Sequence, residues 1–279
     1  MQTVVEATSV PRTGTAAPAV ELHGVSKTFR MRAGGPPWRR GAAIEKVALR
    51  ELSMEMRAGG ITGIIGVNGS GKSTLIRILA TLMVPDTGIA RVFGHDVVAQ
   101  ADTVRRHINR VSVEAAFFKE LSPWENLHYA ARLYGTVEDA RPRAESVLRR
   151  LGLALEAMDR PMKQLSRGQQ QKVAIARSFL TSPSLLLMDE PTTGLDPHSK
   201  RDVQRLISVL RDERDVTIVL CTHDLAEAQA LCDRIVILEA GAVVADAAPA
   251  ELCAGGRDLE EVFLRMTGHS IDDDTEGSG

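Results

Sequence analysis

A glycine-rich segment that ends in lysine and serine is the stretch of this sequence best suited to chemistry. Residues 66–73, Gly-Val-Asn-Gly-Ser-Gly-Lys-Ser, fit the pattern G-x-x-x-x-G-K-[ST] and lie between a short apolar strand pattern and an apolar helix pattern. The glycines allow successive backbone N–H groups to point at an anion, and the start of the helix adds its positive end. We therefore predict a phosphate-binding loop, the alternative being a turn that only joins strand to helix.

The side chains at the end of this loop predict what it binds. Lys72 would bridge the β- and γ-phosphates of ATP, Ser73 would place its hydroxyl on Mg²⁺, and Thr74 would reach the α-phosphate. ATP and Mg²⁺ are thus the predicted cofactors. The predicted phosphate-binding residues are Gly66, Asn68, Gly69, Ser70, Gly71, Lys72, Ser73 and Thr74.

Such a loop needs an acid that holds the metal and a group that activates water. Asp189 and Glu190 follow the apolar run 185–188, so both are expected at the carboxyl end of a buried strand, where open α/β sheets bind ligands. We predict that Asp189 holds Mg²⁺, usually through water, and that Glu190 is the general base for the attacking water. Two acids after a strand also commonly cap a helix, which is the alternative.

Strand and helix patterns alternate around these residues. Apolar runs at 61–65, 184–188 and 216–221 are typical of strands buried on both faces, and the helical patterns between them predict a mainly parallel α/β sheet. Residues from about 103 to 180 are charged, mostly helical and almost without strand pattern, which predicts a helical insertion. The expected organisation is a disordered arm (1–19), one domain (20–250), and a C-terminal helix with an acidic tail (251–279).

Three further motifs carry a resemblance to a known family. Residues 165–169, Leu-Ser-Arg-Gly-Gln, resemble the LSGGQ signature of ABC-type ATPases, with Arg167 where the consensus has glycine. Residues 189–196 are similar to the Walker B motif plus D-loop, and residues 221–224 to the H-loop. With the phosphate-binding loop, four motifs stand in family order and at family-like spacing over residues 20–245, so the chain is identified as resembling an ABC nucleotide-binding domain.

The resemblance implies a fold and a role for several residues. The implied fold is a P-loop NTPase core, a mainly parallel sheet flanked by helices with an antiparallel β subdomain, plus a helical subdomain. Two such domains would face each other head to tail, with Ser166, Gly168 and Gln169 contacting the ATP bound by the partner. His223 would hydrogen-bond the γ-phosphate and sense hydrolysis, and Asp196 would couple the two sites. The simpler alternatives are a helix cap led by Ser166 and a surface histidine.

Two positions depart from the family pattern. The glutamine of the family's Q-loop is missing, and Glu114 is the nearest polar candidate, although a one-residue gap would place Val113 there. Glu114 is either a direct Mg²⁺ ligand or a solvated acid. Phe29 stands where the family usually has a tyrosine that stacks on adenine, so it either stacks without a hydroxyl or packs in the core.

Composition excludes several other functions. The 279 residues hold 34 Lys+Arg against 36 Asp+Glu, a net charge of −2, and 4% aromatic residues, so nucleic acid is not an expected partner. No apolar run approaches the roughly 20 residues that a membrane-spanning helix needs. The three cysteines form no CxxC pair, which disfavours a disulfide framework or a zinc site.

The resemblance is strongest to ATPase subunits of ABC-2 type exporters, through residues 85–96, 125–127 and 259–264. It implies membrane permease subunits and a second nucleotide-binding domain as partners, and a peripheral place on the cytoplasmic face of the cell membrane. The alternative is a soluble ABC-type ATPase acting on ribosomes or DNA. Residues 31–46 predict a basic, turn-rich loop, either a mobile connection or a contact to lipid or to the membrane partner.

Overall fold

The computed structural model describes residues 17–32, 43–112, 116–214 and 216–268. The strands in these ranges are β1 (Val20–Arg32), β2 (Ala43–Met56), β3 (Ile61–Ile65), β4 (Thr87–Val92), β5 (His95–Asp96), β6 (Ile108–Val111), β7 (Leu185–Asp189), β8 (Thr217–Thr222), β9 (Arg234–Glu239) and β10 (Ala242–Ala247). The α-helices are α1 (Lys72–Leu79), α2 (Ala101–His107), α3 (Pro123–Tyr134), α4 (Val137–Arg150), α5 (Arg167–Ser178), α6 (Pro197–Arg214), α7 (Leu225–Leu231), α8 (Pro249–Leu252) and α9 (Leu259–Thr267).

A six-stranded sheet with the order β10-β9-β3-β8-β7-β6 forms the centre of the fold. Its strands run parallel, except that β10 pairs antiparallel with β9. Every residue of β3, β7 and β8 is buried, because elements pack on both faces of the sheet, and this explains the continuous apolar runs. Ala240 and Gly241 both have positive φ, as a two-residue hairpin turn between β9 and β10 requires.

A second sheet, entirely antiparallel, has the order β2-β1-β4-β5. Its inner face shares one apolar cluster with α1 and with one face of the central sheet, where Ile64 and Val219 take part. Ile61 and Ile65, which point to the other face of β3, belong to the second cluster together with α3 to α7 and α9. The layers therefore confirm the predicted fold class.

The helices α3, α4 and α5 pack against one another and form the helical part of the chain. α3 begins with a capping box in which Ser122 Oγ accepts from Glu125 N and Glu125 Oε2 accepts from Ser122 N. Sequence alone predicted almost no strand in 103–180, but β6 pairs with β7 as the edge strand of the central sheet. Only the two end residues of Ile-Asn-Arg-Val are buried, so the apolar alternation of a strand is weak there. The domain boundaries stay a prediction.

Within the part of the chain that the structure describes, no helix is both long and apolar enough to cross a bilayer. β1 ends at Arg32 and β2 begins at Ala43. Residues 33–42, which make up most of the predicted loop 31–46, lie outside the described residues, as does most of the predicted arm 1–19.

Candidate functional site

The register of the central sheet brings three of the sequence motifs to one edge. Ile65 at the end of β3 pairs with Thr222 at the end of β8, and Asp189 at the end of β7 pairs with Cys221. The phosphate-binding loop, Glu190 and His223 therefore all follow neighbouring strands at the carboxyl edge of the sheet, where open α/β sheets bind ligands.

Close backbone contacts shape the phosphate-binding loop. A Cβ on Gly66 would lie 2.4 Å from the carbonyl oxygen of Leu238, and one on Gly71 would lie 2.4 Å from that of Ala48. Gly71 also has φ of 112°, a conformation open to glycine at little cost, at the N-cap of α1. The loop is further tied to the β9–β10 turn, because Gly241 N donates to Ser70 O at 3.0 Å. Side chains other than hydrogen at these two glycines would displace the loop.

Lys72, Ser73 and Asp189 form the inner part of the site. The buried Lys72 ammonium donates to Gly66 O at 2.5 Å and to Val67 O at 3.1 Å. Ser73 Oγ donates to Asp189 Oδ1 at 3.1 Å. Burial raises the pKa of the Asp189 carboxyl above its ordinary value, and the hydrogen bond from Ser73 acts in the opposite direction. A nearby cation would therefore favour the ionised carboxylate.

These two oxygen groups fit Mg²⁺, although they form an incomplete shell. Mg²⁺ prefers hard oxygen ligands and is usually held by one or two protein groups together with phosphates and water. Ser73 Oγ and Asp189 Oδ1 are such a pair. Among the described residues, no group of three or more His, Cys, Asp or Glu side chains could hold a metal ion. A metal held by Ser73 and Asp189 would therefore take its further ligands from outside this pair, such as phosphate or water oxygens.

Glu190 and His223 form a hydrogen-bonded pair at the rim. His223 Nδ1 lies 2.6 Å from Glu190 Oε2, and Thr193 Oγ1 donates to the same oxygen at 2.8 Å. The hydrogen bond to Glu190 raises the pKa of the His223 imidazole, more than its partial burial lowers it. Glu190 has φ of 52°, uncommon for a residue other than glycine. This places a carboxylate in a hydrogen bond with an imidazole at the edge of the phosphate-binding loop.

A cavity of about 330 Å³ is lined by Glu190 and by most of the predicted phosphate-binding residues. Phe29, half-buried, lines it from β1, and Lys46 and Ala48 line it from β2. The remaining lining residues are Asn68, Gly69, Gly71, Lys72, Ser73, Thr74 and Glu190. Phe29 therefore lies where a nucleotide base could stack on it, rather than in the closed core. Lys46 was not predicted, since nothing in its local sequence marks it.

The signature residues lie apart from this cavity and begin α5. Ser166 Oγ accepts from Gln169 N at 3.2 Å, and Gln169 Oε1 accepts from Ser166 N at 2.9 Å, which makes a capping box. A Cβ on Gly168 would come within 2.7 Å of Ser199 Oγ. The Arg167 side chain is exposed and lies over Gly194, whose Cβ would meet its Nη1 at 2.8 Å. None of these residues lines the nucleotide-sized cavity.

Asp196 begins the helix that follows the D-loop. Its Oδ1 accepts from the backbone N–H groups of His198 and Ser199, both at 3.0 Å. Hydrogen bonds from the Ser199 hydroxyl and these amides lower the pKa of Asp196 to about 2. Asp196 is thus ionised and exposed next to Gly168. Glu114 and Val113 lie outside the described residues, so the predicted role of Glu114 stays a prediction.

Comparison with known proteins agrees with the resemblance that the sequence motifs carry. The family model described as "ABC transporter" matches residues 49–193. The daunorubicin/doxorubicin resistance ATP-binding protein DrrA of Streptomyces peucetius is 44% identical over 206 residues, which cover 74% of this chain and 62% of DrrA. The ABC transporter ATP-binding protein NatA of Bacillus subtilis is 36% identical, with 78% of this chain and 89% of NatA covered.

Importer subunits and solved structures also match. The methionine import ATP-binding protein MetN of Caulobacter vibrioides is 35% identical, with 88% of this chain and 68% of MetN covered. The structure of cbiO1 from Clostridium perfringens, part of the ABC transporter complex cbiONQ, has a TM-score of 0.70 and 26% identity over 89% of this chain and 96% of cbiO1. The ATP-binding cassette MJ0796, a dimer bound to ADP and Pi, has a TM-score of 0.71 and 29% identity over 82% and 98% of the two chains. The chain therefore belongs to the ABC transporter family, as one of its ATP-binding, ATP-hydrolysing domains.

Proposed function

We propose that this chain is the ATP-hydrolysing subunit of an ABC-type exporter and that it drives transport through separate membrane subunits. The observation that carries the enzymatic part is the meeting of the Ser73–Asp189 pair and the Glu190–His223 pair at one edge of the sheet. Four groups with distinct chemistry thus surround the end of the phosphate-binding loop.

In this proposal each group has one task. The backbone amides of the loop and the Lys72 ammonium bind the β- and γ-phosphates, and Phe29 stacks on the adenine. Ser73 and Asp189 hold Mg²⁺, which supplies neutralisation of phosphate charge when bound. Glu190 accepts the proton of the attacking water. His223 holds Glu190 in place and donates to the γ-phosphate.

The second half of the site comes from another copy or a paralogue. Ser166, Gly168 and Gln169 lie outside the cavity of their own chain, at the N-terminus of α5, whose partial positive charge favours phosphate. We place them on the ATP bound by a partner domain in a head-to-tail dimer, with Asp196 at the contact between the two sites. The similar ATP-binding cassette MJ0796 is dimeric, which supports a dimer as the working unit.

We further propose that the direction of transport is export rather than import. DrrA and the related DrrA3 of Streptomyces coeruleorubidus, 39% identical, are named for resistance to a drug, which outward transport would provide. MetN and PhnC, named for import, are 35% and 37% identical. We therefore propose ABC-2 type permease subunits as the membrane partner, and a peripheral position at the cytoplasmic face of the membrane.

Replacement of the proposed base tests the mechanism. Glu190→Gln keeps the size of the side chain and removes its basicity, so ATP binding should persist while hydrolysis falls about 100-fold or more. Turnover is measured with the purified chain, or with its membrane subunits present where turnover requires them. Glu138→Gln, on an exposed face of α4, serves as the matched control. Wild-type turnover in Glu190→Gln would show that another group is the base.

The direction of transport is measured in inside-out membrane vesicles that hold the chain and its membrane subunits. With ATP outside, daunorubicin as the probe should accumulate in vesicles with the wild-type chain and stay outside in those with Glu190→Gln. ATP-dependent loss of preloaded probe would instead indicate import.

A further inference from the structure

Glu227 is a buried carboxylate outside the nucleotide cavity that the roles above do not use. It lies on α7, four residues after His223, and only 1% of its surface is exposed. Its Oε1 accepts from Thr192 Oγ1 at 2.8 Å and from Gln204 Nε2 at 3.3 Å. Its Oε2 is buried without a hydrogen-bond partner among the described residues.

This environment is costly for a carboxylate. Among the residues that the structure describes, two neutral donors are the only groups that donate to the Glu227 side chain, and no ion pair includes it. A carboxylate that is buried without a cationic partner lowers the stability of a fold. Glu227 is therefore better explained by what it holds in place than by its contribution to folding.

Glu227 contacts the beginning of the D-loop, the segment between Glu190 and Asp196. Thr192 is buried and lies two residues after Glu190, on the segment that leads to Asp196. Asp224, directly after His223, caps the start of α7, and its Oδ1 accepts from Glu227 N at 2.8 Å. A single side chain thus connects the start of the helix after His223 with the segment after Glu190, and with Gln204 on α6.

We propose that Glu227 is a positioning residue that fixes the D-loop, through Thr192, relative to the helix that follows His223. Glu227 acts through its Oε1 as a hydrogen-bond acceptor, and its negative charge is not required. The proposal rests on the proposed function, because its kinetic effect is read as ATP turnover at Glu190.

Three variants separate this role from others. Glu227→Ala removes the acceptor, and we expect kcat for ATP to fall at least about 10-fold while KM changes less than about 2-fold, since the nucleotide cavity is untouched. Glu227→Gln keeps an acceptor oxygen and should retain kcat within about 2-fold of wild type. Thr192→Val removes the donor and should lower kcat in the same way as Glu227→Ala. Gln229→Ala, on the exposed face of α7, is the matched control.

A second measurement does not depend on turnover. Hydrogen exchange of the D-loop amides should become faster in Glu227→Ala and Thr192→Val, and stay at the wild-type rate in Glu227→Gln and Gln229→Ala. In the double variant, the loss of kcat should be no larger than in either single variant.

Several results would overturn the proposal. Retention of kcat in Glu227→Ala would show that the contact does not position the D-loop. A loss in Glu227→Gln as large as in Glu227→Ala would show that the charge is required, which a positioning acceptor does not need. Wild-type turnover in Glu190→Gln would leave the exchange result valid and would count against the proposed base instead.

Discussion

The Glu190–His223 pair links protonation to the stability of the site. Because the folded state raises the pKa of His223 above its ordinary value of 6.5, the folded chain binds this proton more tightly than the unfolded chain. The stabilisation is fully present below the ordinary pKa and is lost as the pH rises through the raised pKa of the folded state. The imidazole is half-exposed, so solvent screening keeps the effect small.

We predict that His223→Gln removes this pH-dependent contribution. Between about pH 5.5 and about pH 9, the free energy of unfolding of the wild type should fall by up to about 1 kcal/mol more than that of the variant. Urea denaturation at the two pH values measures the difference. His128→Gln, on an exposed face of α3, should follow the wild type. An equal fall in the free energy of unfolding between the two pH values in the wild type and in His223→Gln would contradict the prediction.

At the scale of elements, α6 joins the helices on either side of it. Lys172 on the signature helix α5 donates to Asp202 on α6 at 2.8 Å, and Asp202 also lies 3.0 Å from His198 Nδ1. On the other side, Lys200 pairs with Asp224, which caps α7. Ion pairs therefore connect α6, the helix that follows Asp196, both to α5 and to the start of α7.

The ion pair between Lys172 on α5 and Asp202 on α6 should contribute measurably to the free energy of unfolding. The Lys172 side chain is only 7% exposed, so Lys172→Met fits the same space but leaves Asp202 with His198 as its remaining partner. We expect a loss of about 1–3 kcal/mol, because removing one member of a largely buried pair is more costly than removing an exposed one. Lys163→Met breaks an exposed pair with Glu120 and should cost less than about 0.5 kcal/mol. Equal unfolding midpoints in urea for the two variants would contradict this.

The same elements show what sequence could and could not predict. β3, β7 and β8 were predictable because burial on both faces demands continuous apolar runs. β6 was not, because an edge strand with Asn109 and Arg110 at its centre is only partly buried. Motif spacing predicted the loop residues and Glu190 that line the cavity, since the strand ends fix their positions, but it did not predict Lys46 or Ala48 on β2. Glu227 was missed, because its partner Thr192 lies 35 residues away and only the packing of two loops joins them.

At the scale of the whole molecule, the helical part carries an exposed apolar surface. Tyr129 and Leu133, one turn apart on α3, are 48% and 69% exposed, and Phe118 before the helix is 54% exposed. The rings of Phe118 and Tyr129 are in edge-to-face contact with centroids 5.2 Å apart. Contiguous apolar surface on a folded protein commonly marks an interaction site. We propose, on the basis of the function proposed above, that a separate membrane subunit of the transporter covers this surface.

This surface gives a test of the assembly that leaves the nucleotide site intact. Tyr129→Ser with Leu133→Ser should abolish co-purification with the membrane subunit, because burial of the two side chains would contribute about 2–4 kcal/mol to docking. Nucleotide binding and the unfolding midpoint should stay near wild type, since both side chains already face solvent. Val98→Ser, at an apolar residue 48% exposed outside the helical part, is the control and should co-purify normally. Normal co-purification of the double variant would place the membrane contact on another face of the chain.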